Sequence, residues 1–307
     1  MAEKPYTALR ELQWRLEALA WSVFSTLVRA APIDAVSDFG GGLFRRLGPL
    51  TGVHKTVLRN LRVAFPDWTD DERERTARDH WESVGRTILE FSMIDRIMAD
   101  KSRIECVNRE RLEEIAASGR PVIFVSGHFA NWEVMPATCW ELGIEYTLAY
   151  RAANNPYVEA QIRASRSRYV EHFAPRSAEG GRRLIEGLGR GVSVAVLNDQ
   201  KYDEGIEAPF FGRPVRTLPL AVRFALRFGA DLQPVSVQRL KGARFRLVVH
   251  DPIEPARTGS RADDIAAGVR RINQFIEECV RERPSEWWWV HRRFPKEVYA
   301  ELQAQGY

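Results

Sequence analysis

The apolar positions of this chain change their spacing near residue 100. Before that point they recur at helical intervals. "VHKTVLRNLRVAF" sets Val57, Leu58, Leu61 and Phe65 beside His54, Lys55, Arg59 and Arg62, which predicts an amphipathic helix with a basic face, stopped by Pro66. "TDDERERTARDHWESVGRTILEFSMI" opens with Thr69 and carries Glu72 three residues on, the capping-box start of a long helix. After Asp100, short apolar runs alternate with helical stretches. Strands are predicted at 122–126, 146–150, 192–198, 232–239 and 245–250, and helices around 131–142, 156–169, 178–188 and 220–228. The alternation predicts an α/β fold, a mixed and largely parallel sheet flanked by helices, with a helical N-terminal region. No repeat, low-complexity tract or linker interrupts it. The expected organisation is a membrane-associating helix over residues 1–33 and a single α/β domain over 34–307, of which 34–99 is mainly helical.

The first segment holds an apolar run from Leu16 to Val28, with Arg10, Glu11, Arg15 and Glu17 at its start. It has no small-residue cleavage site of a secretory signal, and it falls short of the roughly 20 residues needed to cross hydrocarbon. Trp14, Trp21 and Phe24 supply interfacial aromatics. The pattern predicts a helix lying on or shallowly in a membrane; a helix packed on the domain core fits the same residues.

Composition narrows the class. Apolar residues at 45% and charged residues at 28% exclude a disordered chain and a polytopic membrane protein. The net charge of +4 suits an anionic membrane surface or an acidic partner, and no feature asks for nucleic acid. Cys106, Cys139 and Cys279 are odd in number and widely separated, as expected of reduced thiols, and no metal-ligand spacing joins them.

The candidate chemistry lies in "SGHFANWEV", Ser126 to Val134, directly after a predicted strand. In sheets of this kind, sites gather beyond the carboxyl ends of strands. Asn131 is placed to cap the following helix, and helical side chains lean towards the N-terminus, so Glu133 is expected to reach His128. Gly127 allows close approach of a substrate. A histidine oriented by a carboxylate makes a general base. The serine stands outside a G-x-S-x-G elbow, so a substrate hydroxyl is expected to attack instead of a protein nucleophile. A lone histidine–glutamate pair fits a structural hydrogen bond equally well, and the neighbouring segments decide.

Those segments are "NLRVAFP" (60–66), "GHFANWE" (127–133), "YRAANNP" (150–156), "NDQKYDEGIEAPFFGRPVRT" (198–217) and "WWWVHRRF" (287–294). Taken together and in this order, they resemble the bacterial lipid A late acyltransferases, the Kdo-dependent lauroyl- and myristoyl-type family, over nearly the whole chain. That family is itself similar to the glycerolipid acyltransferases, whose fold the resemblance implies. It further implies transfer of a fatty acyl chain from acyl carrier protein to a hydroxyacyl chain of a lipid A precursor, at the cytoplasmic face of the inner membrane. No cofactor is implied beyond the acyl thioester donor as co-substrate, and no metal. His128 and Glu133 would be catalytic. Arg151 would bind a phosphate of either substrate, Asn131, Asp199 and Gln200 would shape the same cleft, and Phe210 and Phe211 would wall the acyl pocket. "WWWVHRRF" reads as core structure with no catalytic role for His291. Proline in "TLPLA" (217–221) and the short N-terminal apolar run depart from the family pattern. The alternatives are another glycolipid acceptor, a membrane-surface lipid-binding protein with a degenerate site, and a thioester hydrolase.

Overall fold

The computed structural model describes residues 8–307, so the first seven residues of the predicted N-terminal segment lie outside the described residues. The N-terminal third is helical: α1 (Ala8–Ala30), α2 (Ile33–Leu47), α3 (His54–Ala64), α4 (Asp70–Glu90) and α5 (Ile94–Ala99). Thr69 and Glu72 close the expected capping box on α4, each side chain bonding the other residue's backbone N–H. α2 packs along α4 nearly backbone to backbone, for a Cβ on Gly85 would lie 2.2 Å from the Gly40 carbonyl oxygen.

Strands and helices then alternate: β1 (Ile104–Val107), α6 (Arg109–Ser118), β2 (Ile123–Ser126), α7 (Val134–Glu141), β3 (Tyr146–Tyr150), α8 (Pro156–Arg166), β4 (His172–Pro175), α9 (Ala178–Gly189) and β5 (Ser193–Leu197). The hairpin β6 (Ile206–Phe210) and β7 (Arg213–Thr217) interrupts the alternation. It resumes with α10 (Leu220–Phe228), β8 (Leu232–Arg239), β9 (Phe245–Val249), α11 (Arg261–Glu282) and α12 (Lys296–Ala304). The main sheet runs β1-β9-β8-β2-β5-β3-β4, and of its neighbouring pairs only β8–β9 is antiparallel. This is the mixed, largely parallel sheet that the alternation predicts. β2 and β8 are buried along their whole lengths; β2 reads as an apolar run for that reason, while β8 also buries Gln233, Ser236, Gln238 and Arg239.

Three features of the sheet arrangement escape the hydrophobic pattern. β1 and β4 are four-residue edge strands, and β4 ends in proline. The β6–β7 hairpin pairs Pro209 with Pro214, which a separate two-stranded ladder tolerates. Its two-residue turn needs positive φ at both positions, and Phe211 (φ 49°) and Gly212 (φ 69°) supply it.

Two of the central strands set up the site. β2 leads through α7 to β3, and β5 leads to β8, on opposite sides of the β2–β5 pair. That crossing leaves a crevice beyond the carboxyl ends of the two strands.

Candidate active site

β2 and β5 pair in parallel with Ser126 opposite Leu197. Two residues beyond each strand end come His128 and Asp199, which the register therefore places side by side. Asp199 accepts the His128 backbone N–H at 2.7 Å through Oδ2 and meets Nδ1 of the ring at 2.7 Å through Oδ1. The Trp287 indole N–H donates to the same Oδ2 at 2.8 Å. The carboxylate side chain is 2% exposed and the imidazole 14%, so only the imidazole opens to the cleft. Burial alone would push the Asp199 carboxyl up; the facing imidazole and the converging hydrogen bonds outweigh it and hold the group at about 2. An ionised Asp199 accepts from Nδ1–H, which leaves Nε2 as the basic nitrogen. Gly127 is required for space, since a Cβ there would stand 2.9 Å from the Phe129 ring and 3.2 Å from Asp199 Oδ2.

Nε2 faces a polar and aromatic rim. Gln200 Nε2 lies 3.4 Å from it and 3.0 Å from Nε2 of His291. The Trp132 ring stands edge-on to His128 at 4.8 Å and to Trp288 at 5.0 Å. The Trp288 N–H donates to the His128 carbonyl at 3.1 Å, and Phe129 bridges to Trp287. Asn60 of α3 fixes this C-terminal segment by donating to the carbonyls of Trp289 and His291 at 2.6 and 2.8 Å. Arg293, 1% exposed, ties it to β7 through the Arg216 carbonyl (2.8 Å) and Thr217 Oγ1 (2.7 Å). Sequence reasoning gave "WWWVHRRF" to the core. It does fill core, and it also forms one wall of the site.

The loop between His128 and α7 is held from behind. Ala130 has φ 43°, a left-handed conformation that a non-glycine residue adopts only when its surroundings impose it. Thr87 Oγ1 donates to its carbonyl at 2.9 Å, and its N–H reaches the Glu286 carbonyl at 2.8 Å. Glu90, fully buried at the end of α4, accepts from Asn131 Nδ2 at 2.9 Å, from Ser37 at 2.6 Å and from both ends of the Arg239 guanidinium at 2.5 and 2.9 Å.

The family model for bacterial lipid A biosynthesis acyltransferases matches residues 7–296. The chain belongs to this family. Among curated relatives, the acyltransferase is 26% identical over 250 residues to the lipid A biosynthesis lauroyltransferase of Escherichia coli K12, covering 78% of each chain. It is 25% identical to that organism's palmitoleoyltransferase over 77% of this chain and 76% of the relative, and 24% identical to its myristoyltransferase over 86% and 84%. A solved structure, the 1-acyl-sn-glycerophosphate acyltransferase PlsC of Thermotoga maritima, aligns over 90% of this chain and 99% of its own at 15% identity; its TM-score of 0.38 is too low to carry an argument.

Set against the acyltransferase's geometry, several expectations need correction. Glu133 does not contact His128. Its carboxylate, 4% exposed, pairs with Arg166 of α8, accepting Nε–H at 2.9 Å and an N–H of NH2, and takes the Tyr169 hydroxyl at 3.2 Å. The reason is local: α7 begins only at Val134, so Glu133 sits in the preceding turn and its side chain turns to α8. Burial would lower the Arg166 pKa, but the adjoining carboxylate raises it instead. Asn131 is fully buried and its amide is engaged by Glu90 and the Glu133 N–H (3.3 Å), so it shapes the loop from within instead of facing the cleft. Asp199 is the partner of the His128 ring, with its own carboxylate all but closed to the cleft. Phe210 and Phe211, 1% and 6% exposed, pack on Trp287 and Trp289 in the main core and not on an open acyl groove. Gln200 stands beside His128, and Arg151 is exposed past the end of β3, with a 3.4 Å hydrogen bond to Asn154.

Proposed function

We propose that this protein transfers a fatty acyl chain from the thioester of acyl carrier protein to a hydroxyacyl chain of a lipid A precursor by direct attack. His128 Nε2 takes the proton of the acceptor's 3-hydroxyl as its oxygen attacks the thioester carbonyl. The imidazolium then returns the proton to the departing thiolate, and Asp199 stabilises the charged ring throughout. The observation that supports this reading is the His128–Asp199 bond, which commits Nδ1 and leaves Nε2 at the cleft. Among the described residues no serine or cysteine side chain bonds His128, which favours a substrate nucleophile over an acyl-enzyme.

Membrane attachment is supported by α1. Leu9, Leu12, Leu16, Leu19, Val23 and Leu27 form one helical face, each more than half exposed, while Trp14, Ala18 and Val28 are buried on the other. No helix among the described residues is long and apolar enough to cross a membrane. α1 is therefore assigned to the bilayer surface, at the cytoplasmic leaflet where the soluble carrier reaches it.

The test incubates purified protein with radiolabelled acyl carrier protein thioester and the glycolipid acceptor. Acylated glycolipid is the expected product, and His128→Ala should lower its formation roughly 100- to 10,000-fold with the fold retained. Release of free fatty acid with acceptor untouched, or near-wild-type transfer by the variant, would reject the proposal.

A further inference from the structure

Arg239 is the last residue of β8, the strand beside β2, and its charge is buried, the side chain being 9% exposed. Besides its two bonds to Glu90, the guanidinium donates from NH2 to Thr87 Oγ1 at 3.2 Å and from NH1 to the Gly242 carbonyl at 3.1 Å. Thr87 gives its own proton to the Ala130 carbonyl, and Glu90 accepts the Asn131 amide. The guanidinium therefore reaches both Ala130 and Asn131 through one intermediary each. The backbone of the same residue holds the facing wall. Its N–H donates to Glu286 Oε2 at 2.9 Å, and its carbonyl accepts from Arg283, which also donates to Glu286 Oε1, at 3.2 Å each. The Glu286 carbonyl accepts the Ala130 N–H, and the next residue is Trp287, whose indole donates to Asp199. One residue thus joins the loop that carries His128 to the segment that orients Asp199.

Stability is a poor reason for an ion pair in this place. Taking both charges out of water costs much of what their attraction returns, and apolar side chains of similar volume fill such a site about as well. What a planar fork with fixed partners supplies is position. The position at stake is the left-handed turn at Ala130, φ 43°, which persists only where its surroundings impose it. That turn sets Phe129 against Trp287 in their antiparallel bridge and brings the His128 carbonyl to the Trp288 N–H.

From this convergence we propose that Arg239, with Glu90 as its counter-charge, is a positioning residue of the active site. It imposes the Ala130 turn and so keeps the His128 N–H, the His128 ring and the Trp287 indole all aimed at Asp199. It acts on the rate of the chemical step and not on substrate affinity, because the groups it aligns are the base and the partner of the base. A catalytic group about 1 Å out of line costs on the order of a hundredfold in rate even where the fold is retained. The proposal rests on the acyl-transfer reading for its rate measurement, and one arm of the test is independent of that reading.

The experiment compares Arg239→Lys with a control for lost stability. Lysine keeps a charge beside Glu90, but an ammonium has no fork to reach both Glu90 oxygens and Thr87 together. The control is Leu112→Ala, a cavity in the fully buried side of α6 that lies outside the site. Arg239→Lys is expected to lower kcat roughly ten- to a hundredfold with KM for each substrate within about threefold, whereas Leu112→Ala, at a similar urea midpoint, keeps kcat within about twofold. The second arm is proton spectroscopy of the free protein and needs no turnover. An imidazole Nδ1–H shared with a carboxylate resonates downfield of the amide protons, and its loss in Asp199→Asn assigns it to His128. It is expected in the wild type and in Leu112→Ala, and to broaden beyond detection in Arg239→Lys. Should Arg239→Lys fail to fold, Glu90→Gln, which keeps the shape and removes the counter-charge, takes its place in both arms. A kcat near the wild-type value, a loss of kcat that Leu112→Ala shares, or an unchanged resonance overturns the positioning role. If the protein transfers no acyl group, the resonance decides alone.

Discussion

Two carboxylates lie close to the end of β2, both all but inaccessible, and they do different work. Asp199 faces His128: three hydrogen bonds converge on it, from the His128 backbone, the His128 ring and Trp287. Glu133 faces away, into a buried ion pair with Arg166 and a bond from Tyr169. Asp199 sets the tautomer of His128, whereas Glu133 secures α8 against the loop that carries it. Neighbourhood in sequence made Glu133 the expected partner, while parallel pairing across 71 residues made Asp199 the observed one.

Asp199→Asn breaks the comparison most directly. The amide keeps the volume and loses the charge, so turnover should fall roughly 100- to 10,000-fold while the fold persists. The variant also changes acid stability, with a definite sign. An unfolded aspartate titrates near 4, and the folded group sits lower, at about 2. The stabilisation is complete above the unfolded value and is lost as pH falls through the folded one. The wild-type unfolding free energy, read from urea titrations, should therefore drop between about pH 4 and 2 by an amount near 2 kcal/mol that the asparagine variant lacks. A variant with full turnover would return the orienting role to another group.

Glu133→Ala should act through stability first. Removing one member of a buried pair leaves Arg166 uncompensated, at a cost of roughly 3–5 kcal/mol. Turnover is expected to fall with it. The comparison is sharpened by the double variant Glu133→Leu/Arg166→Met, which should regain most of the stability because no charge is left buried. If the single variant keeps its denaturation midpoint and loses only kcat, Glu133 acts on the chemistry and not through α8.

How far the sequence announced all this depends on which forces write themselves locally. The capping box of α4, the strand "YTLAY" and the buried run of β8 are set by spacing and side-chain type within a few residues, and the structure repeats them. His128 at a strand end was equally legible. The Asp199 contact was not, because it needs the register of β2 on β5, two strands with β3, β4 and three helices between them in the chain. The proline-bearing hairpin was hidden for the opposite reason, since its residues are those of a loop. Phe210 and Phe211 show a third limit: adjacent rings next to a turn look like a pocket wall, and only packing against Trp287 and Trp289 reveals core.

The smallest effect is expected on the Glu133 side, where the comparison reaches the membrane. α1 docks its inward face, which carries Trp14 and Ala18, on α8: Asn155 donates to the Trp14 carbonyl and to Glu17 at 2.9 Å each, and Gln161 to the Ala18 carbonyl at 3.2 Å. α8 in turn carries Arg166, the partner of Glu133. Among the described residues Asp199 has no such connection to α1. A polar residue on the outward face, Leu19→Ser, leaves those bonds intact and removes apolar surface that the proposed bilayer contact would bury, since Leu19 is 61% exposed in the protein alone. Partial loss of one leucine's transfer energy, about 1 kcal/mol, predicts a roughly fivefold fall in binding to anionic vesicles, with the urea midpoint in solution unchanged. Cosedimentation reads the first quantity and denaturation the second. A large drop in solution stability would mean that this face is packed against protein, and α1 would then belong to the core instead of the bilayer.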